Sequence, residues 1–380
     1  MKLLKVFMVC IIFFIALSGC SESDDQSSSD NQQDILISVK NISIIRDRDR
    51  TLDWSHENEL IAFSLLGDDG YYDVATMKED GSDLICLTCD NPNLPNKHIS
   101  NPAWHPSGEY IVMQVEKLDH FGSSVYSTPG IGFNCDLWLM SNDGHDYYQL
   151  TNLITKLNYF DTNKTTGVLH PHFSHDGNKL LWGQLKEPIS GRAGGGDWEL
   201  KMADFIVEED SIYLENIETF TPGDQTYWYE SHGFSINDEM IIFSGSLLPS
   251  QDDSGMDIYT FNYLSGELVQ LTNTFQVWDE HAHYSPDGSK IVWISSVNDF
   301  DPSDWRGTMK TEYFIMDSNS ANKTQLTFFN TPDHPHHSIF NGARVICADS
   351  AWNAEGNKIM ASIAVDDQPY IIEIVLNLIE

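Results

Sequence analysis

Short apolar runs recur along the chain at wide and fairly regular intervals: Leu60-Ile61-Ala62-Phe63, Tyr110-Ile111-Val112-Met113, Leu180-Leu181-Trp182, Met240-Ile241-Ile242-Phe243, Ile291-Val292-Trp293-Ile294 and Ile359-Met360-Ala361. Each is strand-length, is bounded by turn residues and is preceded by an aromatic residue and a polar turn. The six openings are Trp54-Ser55-His56-Glu57-Asn58, Trp104-His105-Pro106-Ser107-Gly108, Phe173-Ser174-His175-Asp176-Gly177, Phe234-Ser235-Ile236-Asn237-Asp238, Tyr284-Ser285-Pro286-Asp287-Gly288 and Trp352-Asn353-Ala354-Glu355-Gly356. A second run follows in each unit, such as Leu137 to Gly144, and several units close on Leu-Thr, at Leu87-Thr88, Leu150-Thr151, Leu271-Thr272 and Leu326-Thr327.

The pattern predicts an all-β chain of six four-stranded units. One such sheet cannot bury both of its faces alone, so the units stack until a ring closes, giving a six-bladed β-propeller over residues 35–380. The last copy runs through Tyr370 to Leu376 and ends one strand short. Ile35 to Val39 stands alone before the first copy and is predicted to supply the missing outer strand, leaving no raw edge.

The repeat resembles the TolB-type WD-like propeller unit, whose core reads aromatic-Ser-Pro-Asp-Gly, strand, Asp-Gly turn, Leu-Thr; Tyr284 to Gly288 matches it in full. Copies three and six depart from it in lacking a clear Leu-Thr ending. The resemblance implies a propeller that binds a ligand, a peptide, a partner protein or a glycan in its funnel. TolB has a separate N-terminal domain for which this chain leaves no room, so a role in the Tol system is not expected.

The N-terminus reads as an address. Two lysines within Met1 to Lys5 precede an apolar core from Val6 to Ala16, too short to span a bilayer comfortably, and then Leu17-Ser18-Gly19-Cys20. Those four residues resemble a bacterial lipobox, which implies a signal peptide over residues 1–19 and a lipidated Cys20. Residues 20–34 follow as a polar tether. Ser21 in place of Asp resembles the sorting pattern of outer-membrane lipoproteins, facing the periplasm or the cell surface. Export implies an oxidising setting for Cys86, Cys89, Cys135 and Cys347, with disulfides or buried thiols favoured over a metal; a Cys86–Cys89 bridge and pairing with the other two are both open.

Charge narrows the partners. The 380 residues carry 21 basic and 57 acidic side chains, a formal net charge of −36. Phosphate backbones need clustered Lys and Arg, so a nucleic-acid partner is excluded, and charge-driven adsorption to anionic lipid is disfavoured.

In a blade with strands A to D, the residues leading into A and the B–C loop share one face, here called upper; the A–B and C–D turns lie on the lower face. The excess length between repeats falls mostly in B–C loops, at Lys117 to Asn134, Glu187 to Asp197 and Asn298 to Thr311, so the functional mouth is expected on the upper face. Histidines gather just before the aromatic anchors: His170 and His172, His232, then His281 and His283. A lone histidine there simply bonds a neighbouring carboxylate or carbonyl; five on consecutive blades form a candidate cluster. Residues two apart share a side of a strand, so His170 with His172, and His281 with His283, are expected to converge. With Glu230, Glu280 or Asp349 they suit one divalent Mn, Fe or Zn ion.

His281-Ala282-His283 also resembles the His-x-His metal motif of oligogalacturonate lyases, which are propeller enzymes. That resemblance implies the alternative function, a metal-dependent lyase acting on polysaccharide, with Arg192 and Arg306 as contacts for an anionic substrate. It assigns no catalytic residue. Gly191 to Gly196 has neither Rossmann nor Walker spacing and reads as a loop.

Overall fold

The computed structural model describes residues 36–189, 195–209, 211–223, 228–249, 251, 255–298, 300–301 and 304–379. The signal and tether (residues 1–34), Cys20 and Arg192 lie outside them, and Arg306 is placed in its backbone only, in a short helix at Trp305–Thr308.

Six four-stranded antiparallel sheets follow one another along the chain. Their innermost A strands are Arg50–Ser55, Ile99–Trp104, Val168–Phe173, Tyr229–Phe234, Asp279–Tyr284 and Val345–Trp352, and they number blades 1 to 6. The fold is a six-bladed β-propeller. The sixth sheet takes its outer strand from the other end of the chain: Leu36–Asp47 pairs with Gln368–Ile379 in a register running from Leu36 opposite Ile379 to Asp47 opposite Tyr370. The closing strand is thus longer than the Ile35 to Val39 segment that its apolar residues marked. It is amphipathic, with Ile44 exposed on its outer side, so only half its length reads as strand in sequence.

The apolar runs are the B strands, and they are buried on both sides. Ile61 to Phe63, Ile111 to Met113 and Ile241 to Phe243 show no exposure, because each sheet is sandwiched between two neighbours. The core is accordingly a set of clusters, several of them joining adjacent blades; one joins Ala62 and Val74 of blade 1 to Ile111 and Met113 of blade 2.

The polar repeat residues have specific duties. In the turn after Tyr284, Ser285 Oγ donates to Asp287 and accepts from Lys290 N, while Gly288 takes φ +69°, where a Cβ would stand 2.6 Å from Ile236. The Leu-Thr ending is a staple. Its Thr Oγ1 accepts an N–H from the second or third residue of strand C at the same 2.9 Å in four blades: Thr88 from Val74, Thr151 from Leu137, Thr272 from Ile258 and Thr327 from Tyr313. Each Thr hydroxyl lies against the acidic residue just before that N–H, namely Asp73, Asp136, Asp257 and Glu312. Blade 6 needs no such ending, because its D strand arrives from the N-terminal side.

Of the four cysteines, Cys86 and Cys89 form a disulfide, while Cys135 and Cys347 are separate buried thiols.

Removing one staple tests this account. Thr272→Val keeps the side-chain volume but orphans the buried Ile258 N–H, and is expected to cost about 1–3 kcal/mol. It should appear as a lower urea midpoint with an unchanged slope.

Candidate metal centre

Every A strand carries a register shift where it lines the central channel. The unpaired residues are Thr51, Asn101–Pro102, His170–Pro171, His232, His281–Ala282 and Ala348–Asp349. His170 and His281 take positive φ, +47° and +51°, so the bulge turns each imidazole away from the alternation its strand would impose. Counted back from the aromatic anchors, His170 and His281 occupy the same repeat position, whereas His232 sits one residue later. In blade 4 the bulge falls on His232 itself, and Gly233, at φ +114°, absorbs the change.

The histidines therefore do not meet at one point; they form two tiers. In the upper tier His170 stacks on His281 with ring centres 5.4 Å apart, and His232 lies 5.5 Å from His281. Glu230 reaches into this tier, with Oε1 at 3.2 Å from His170 Nδ1. One ligand atom each from His170, Glu230, His232 and His281 lies within 4.8 Å of all the others, and all four residues are buried. In the lower tier His172 and His283 face each other at 5.6 Å, linked upward by His232 at 6.0 Å from His283.

The remaining expected residues surround this group. Asp349 Oδ1 is 2.7 Å from His281 Nδ1 and 3.5 Å from His170 Nδ1. Glu280 lies 3.4 Å from His281 Nε2 and accepts from Trp278 Nε1 at 2.8 Å. Ser244, on the neighbouring strand, meets His232 Nε2 at 2.6 Å, which leaves His232 Nδ1 without a partner. His170, His172 and His283 each also have a buried, unpartnered Nε2. Ser244 and Trp278 carried no signal in the sequence: each acts through a contact that exists only once the blade is folded.

Electrostatics separate the imidazoles. Burial holds His170, His172 and His232 below their ordinary pKa, and holds His283 down to about 4. For His281 burial acts in the same direction, but Asp349 and Glu280 outweigh it and push the ring up to about 9. Burial and the adjacent Glu280 carboxylate raise Glu230 well above the usual range. Asp349, buried as well, is held low by His281 and His170. Imidazoles and carboxylates so enclosed form a donor set for a borderline divalent cation, which His281 joins on giving up its proton. A second trio, Asp73, Cys86 and Cys89, is not comparable, since its sulfurs are bonded to each other.

The channel cavity extends towards the face opposite the long loops. A cavity of about 300 Å³ runs from His170, His172, His232, His283 and Asp349 down to the A–B turns, where His56, Pro106, His175 and Ile236 are exposed at its rim. At the upper end, a continuous apolar cluster that includes Phe133, Leu169, Trp198, Trp228, Trp278 and Phe300 joins the starts of A strands to B–C loop residues. Phe133 and Phe300 are the B–C loop aromatics in this cluster. Three further histidines lie apart: His334 caps the short helix Pro335–Ile339, and His336 and His337 bond the backbone of Phe328 and Phe329.

No family model matches this chain, and no curated protein does. Among solved structures it is similar to TolB from Acinetobacter baumannii at 16% identity and a TM-score of 0.49, covering 84% of this chain and 64% of that one. A putative TolB from Agrobacterium tumefaciens aligns at 12% identity and a TM-score of 0.48, over 88% and 96% of the two chains. A puromycin hydrolase aligns at 11% identity and 0.48, over 87% and 52%. The chain thus spans a little under two thirds of the A. baumannii protein.

The His281–Asp349 pair has a pH signature in the metal-free protein. A raised histidine pKa stabilises the fold fully below the ordinary 6.5 and loses that contribution as pH climbs through about 9; the lowered pKa of His283 erodes stability as pH falls from 6.5 towards 4. Asp349→Asn is expected to bring the His281 pKa down by about 1–3 units in an NMR titration. It should also flatten the loss of stability between pH 6.5 and 9, measured in a chelating buffer.

Proposed function

We propose that this protein is an exported, lipid-anchored propeller that holds one divalent transition-metal ion at His170, Glu230, His232 and His281 and presents it to a ligand in the central channel. The observation that carries the reading is the meeting of four buried ligand atoms from three consecutive blades within 4.8 Å of one another. Three imidazoles and one carboxylate match Mn²⁺, Fe²⁺ or Zn²⁺ and are a poor match for Ca²⁺ or Mg²⁺, which prefer oxygen donors. Asp349 beside His281, Glu280 beside the same ring and Ser244 beside His232 are outer partners of the kind that orient metal-bound imidazoles. His232 Nε2 faces Ser244 Oγ and accepts the backbone N–H of His281, so coordination through its unpartnered Nδ1 would require that nitrogen to give up its proton. When bound, the ion supplies a Lewis acid. The cavity below it leaves room for a ligand to approach.

A second reading, a metal-dependent enzyme, is favoured by one observation. His172 and His283 stand under the centre with unpartnered Nε2 atoms, and neutral imidazoles so placed can accept a proton from a bound substrate. Export and anchoring through Cys20 rest on the signal core and lipobox, and the Cys86–Cys89 disulfide suits an oxidising compartment.

Metal analysis decides the first point. The purified protein is expected to bind one Zn²⁺ or Mn²⁺ per chain. His170→Ala and His281→Ala should weaken binding by more than the roughly 10–100-fold expected for loss of an outer partner, as in Ser244→Ala. Wild-type protein without stoichiometric metal, or a double variant with unchanged affinity, would exclude the centre. For the anchor, wild-type cells fed an alkyne fatty acid should yield labelled protein in the membrane fraction, and Cys20→Ala should abolish the label.

A further inference from the structure

Four of the five most exposed large apolar side chains among the described residues stand on two loops of the upper face, away from the channel. Phe160, Tyr159, Ile154 and Leu118 are 90%, 75%, 74% and 65% exposed. Leu118 belongs to the B–C loop of blade 2, and the other three to the segment between Thr151 and Val168 that leads into blade 3. Specific bonds hold these loops in shape: Phe121 N–H donates to Lys156 O at 2.7 Å, Leu153 N–H to Asp136 Oδ1 at 2.8 Å and Leu157 N–H to Asp161 Oδ2 at 2.9 Å. Tyr159 and Phe160 meet edge to face at 5.5 Å, and Lys156 Nζ lies over the rings of Phe121 and Tyr159. Apolar groups gathered in water on ordered loops mark a contact with another molecule.

A cavity of about 370 Å³ opens between the same loops and the outer strands of blade 2. Leu118, Ile154, Leu157 and the half-buried Trp138 are its apolar wall, while Asp119, Gln149, Asn152 and Asn163 supply polar groups. Its deeper charges are already met. Asp136 pairs with Lys117 and accepts the Leu153 N–H, and Glu116 Oε1 meets His120 Nε2 at 2.7 Å and Ser124 Oγ at 2.6 Å.

We propose that this cavity and the adjoining aromatic pair bind a neutral oligosaccharide, at a site separate from the metal centre and independent of it. One sugar ring packs against Trp138 with its hydroxyls at Asp119 and the amides of Asn152 and Asn163; a second lays its C–H face over Tyr159 and Phe160. A pyranose has an apolar C–H face and a rim of hydroxyls that donate and accept, which is what aromatic rings beside amides and a carboxylate complement. The cavity volume suits a ligand of this size. Charge selects the neutral class: a cation finds Glu116 and Asp136 already paired, and the net charge of −36 opposes an anionic glycan, an anionic lipid surface and a second copy of this chain. Position argues against a neutral bilayer as well. Leu36 pairs with Ile379 at the end of the last C strand, so the chain leading from Cys20 joins the fold on the lower face, opposite the patch.

The test titrates cellotriose, maltotriose, mannotriose and the anionic trigalacturonate into the protein by saturation-transfer NMR, with and without EDTA. At least one neutral trisaccharide is expected to bind equally in both buffers, and trigalacturonate roughly tenfold or more weakly. The double variant Tyr159→Ala/Phe160→Ala should weaken that binding roughly tenfold or more, and Asn152→Ala should weaken it measurably, with urea midpoints unchanged because all three side chains are exposed. The proposal is overturned if no neutral trisaccharide binds, if the double variant binds as wild type does, or if EDTA abolishes binding, which would place the sugar at the metal centre instead. Two further outcomes would reassign the patch: Cys20→Ser protein that sediments with phosphatidylcholine vesicles through Tyr159 and Phe160 would make it a lipid contact, and a dimer dissolved by the double variant would make it a contact between copies. Failure of the protein to bind metal, with sugar binding intact, would leave this site standing and remove only the centre.

Discussion

Closure of the ring governs the rest of the molecule. A four-stranded sheet with both faces apolar is stable only between two others, so six of them must meet end to end, and the seam is made by pairing Leu36–Asp47 with Gln368–Ile379 across the whole sequence. Because the sheets are wedged around one axis, their innermost strands are forced together at the centre. Side chains there have no solvent to satisfy them and must find partners on neighbouring blades. His281, for example, comes within ion-pair distance of Glu230 from the preceding blade and Asp349 from the following one.

That convergence has an electrostatic cost, and the arrangement of the site follows from how it is met. Three carboxylates and five imidazoles share a space with little water. In the metal-free protein the neighbouring charges favour the ion pair of His281 with Asp349, while burial disfavours charge on the other imidazoles and raises Glu230. A divalent cation would replace that internal pairing with direct coordination, and neutral rings are what it needs as donors. Several nitrogens remain unpartnered around the same point. Buried polar groups are normally satisfied, and this concentration is what supports the proposed ligand there.

Packing differs between the two faces. Long B–C loops on a propeller usually carry recognition; here two of their aromatic residues, Phe133 and Phe300, turn inward and join the starts of the A strands in one apolar cluster. The short, repetitive turns of the opposite face stay apart and leave the channel open between them.

The six-fold repeat, the all-β fold and the swap of the first strand into the last sheet were legible in the amino-acid order. They depend on apolar periodicity and turn chemistry, which are local and recur. The candidate residues His170, Glu230, His232 and His281 were legible as a set for the same reason, being placed just before repeated anchors. What only the tertiary structure decided is which of them meet. A one-residue bulge reverses the facing of a side chain, and the pattern of apolar and polar positions records no bulge; so the split of His170 and His281 from His172 and His283, and the offset of His232, appear only when strands pair. The upper apolar cluster is likewise a property of side chains from five blades packing together, and no segment of the chain contains it alone.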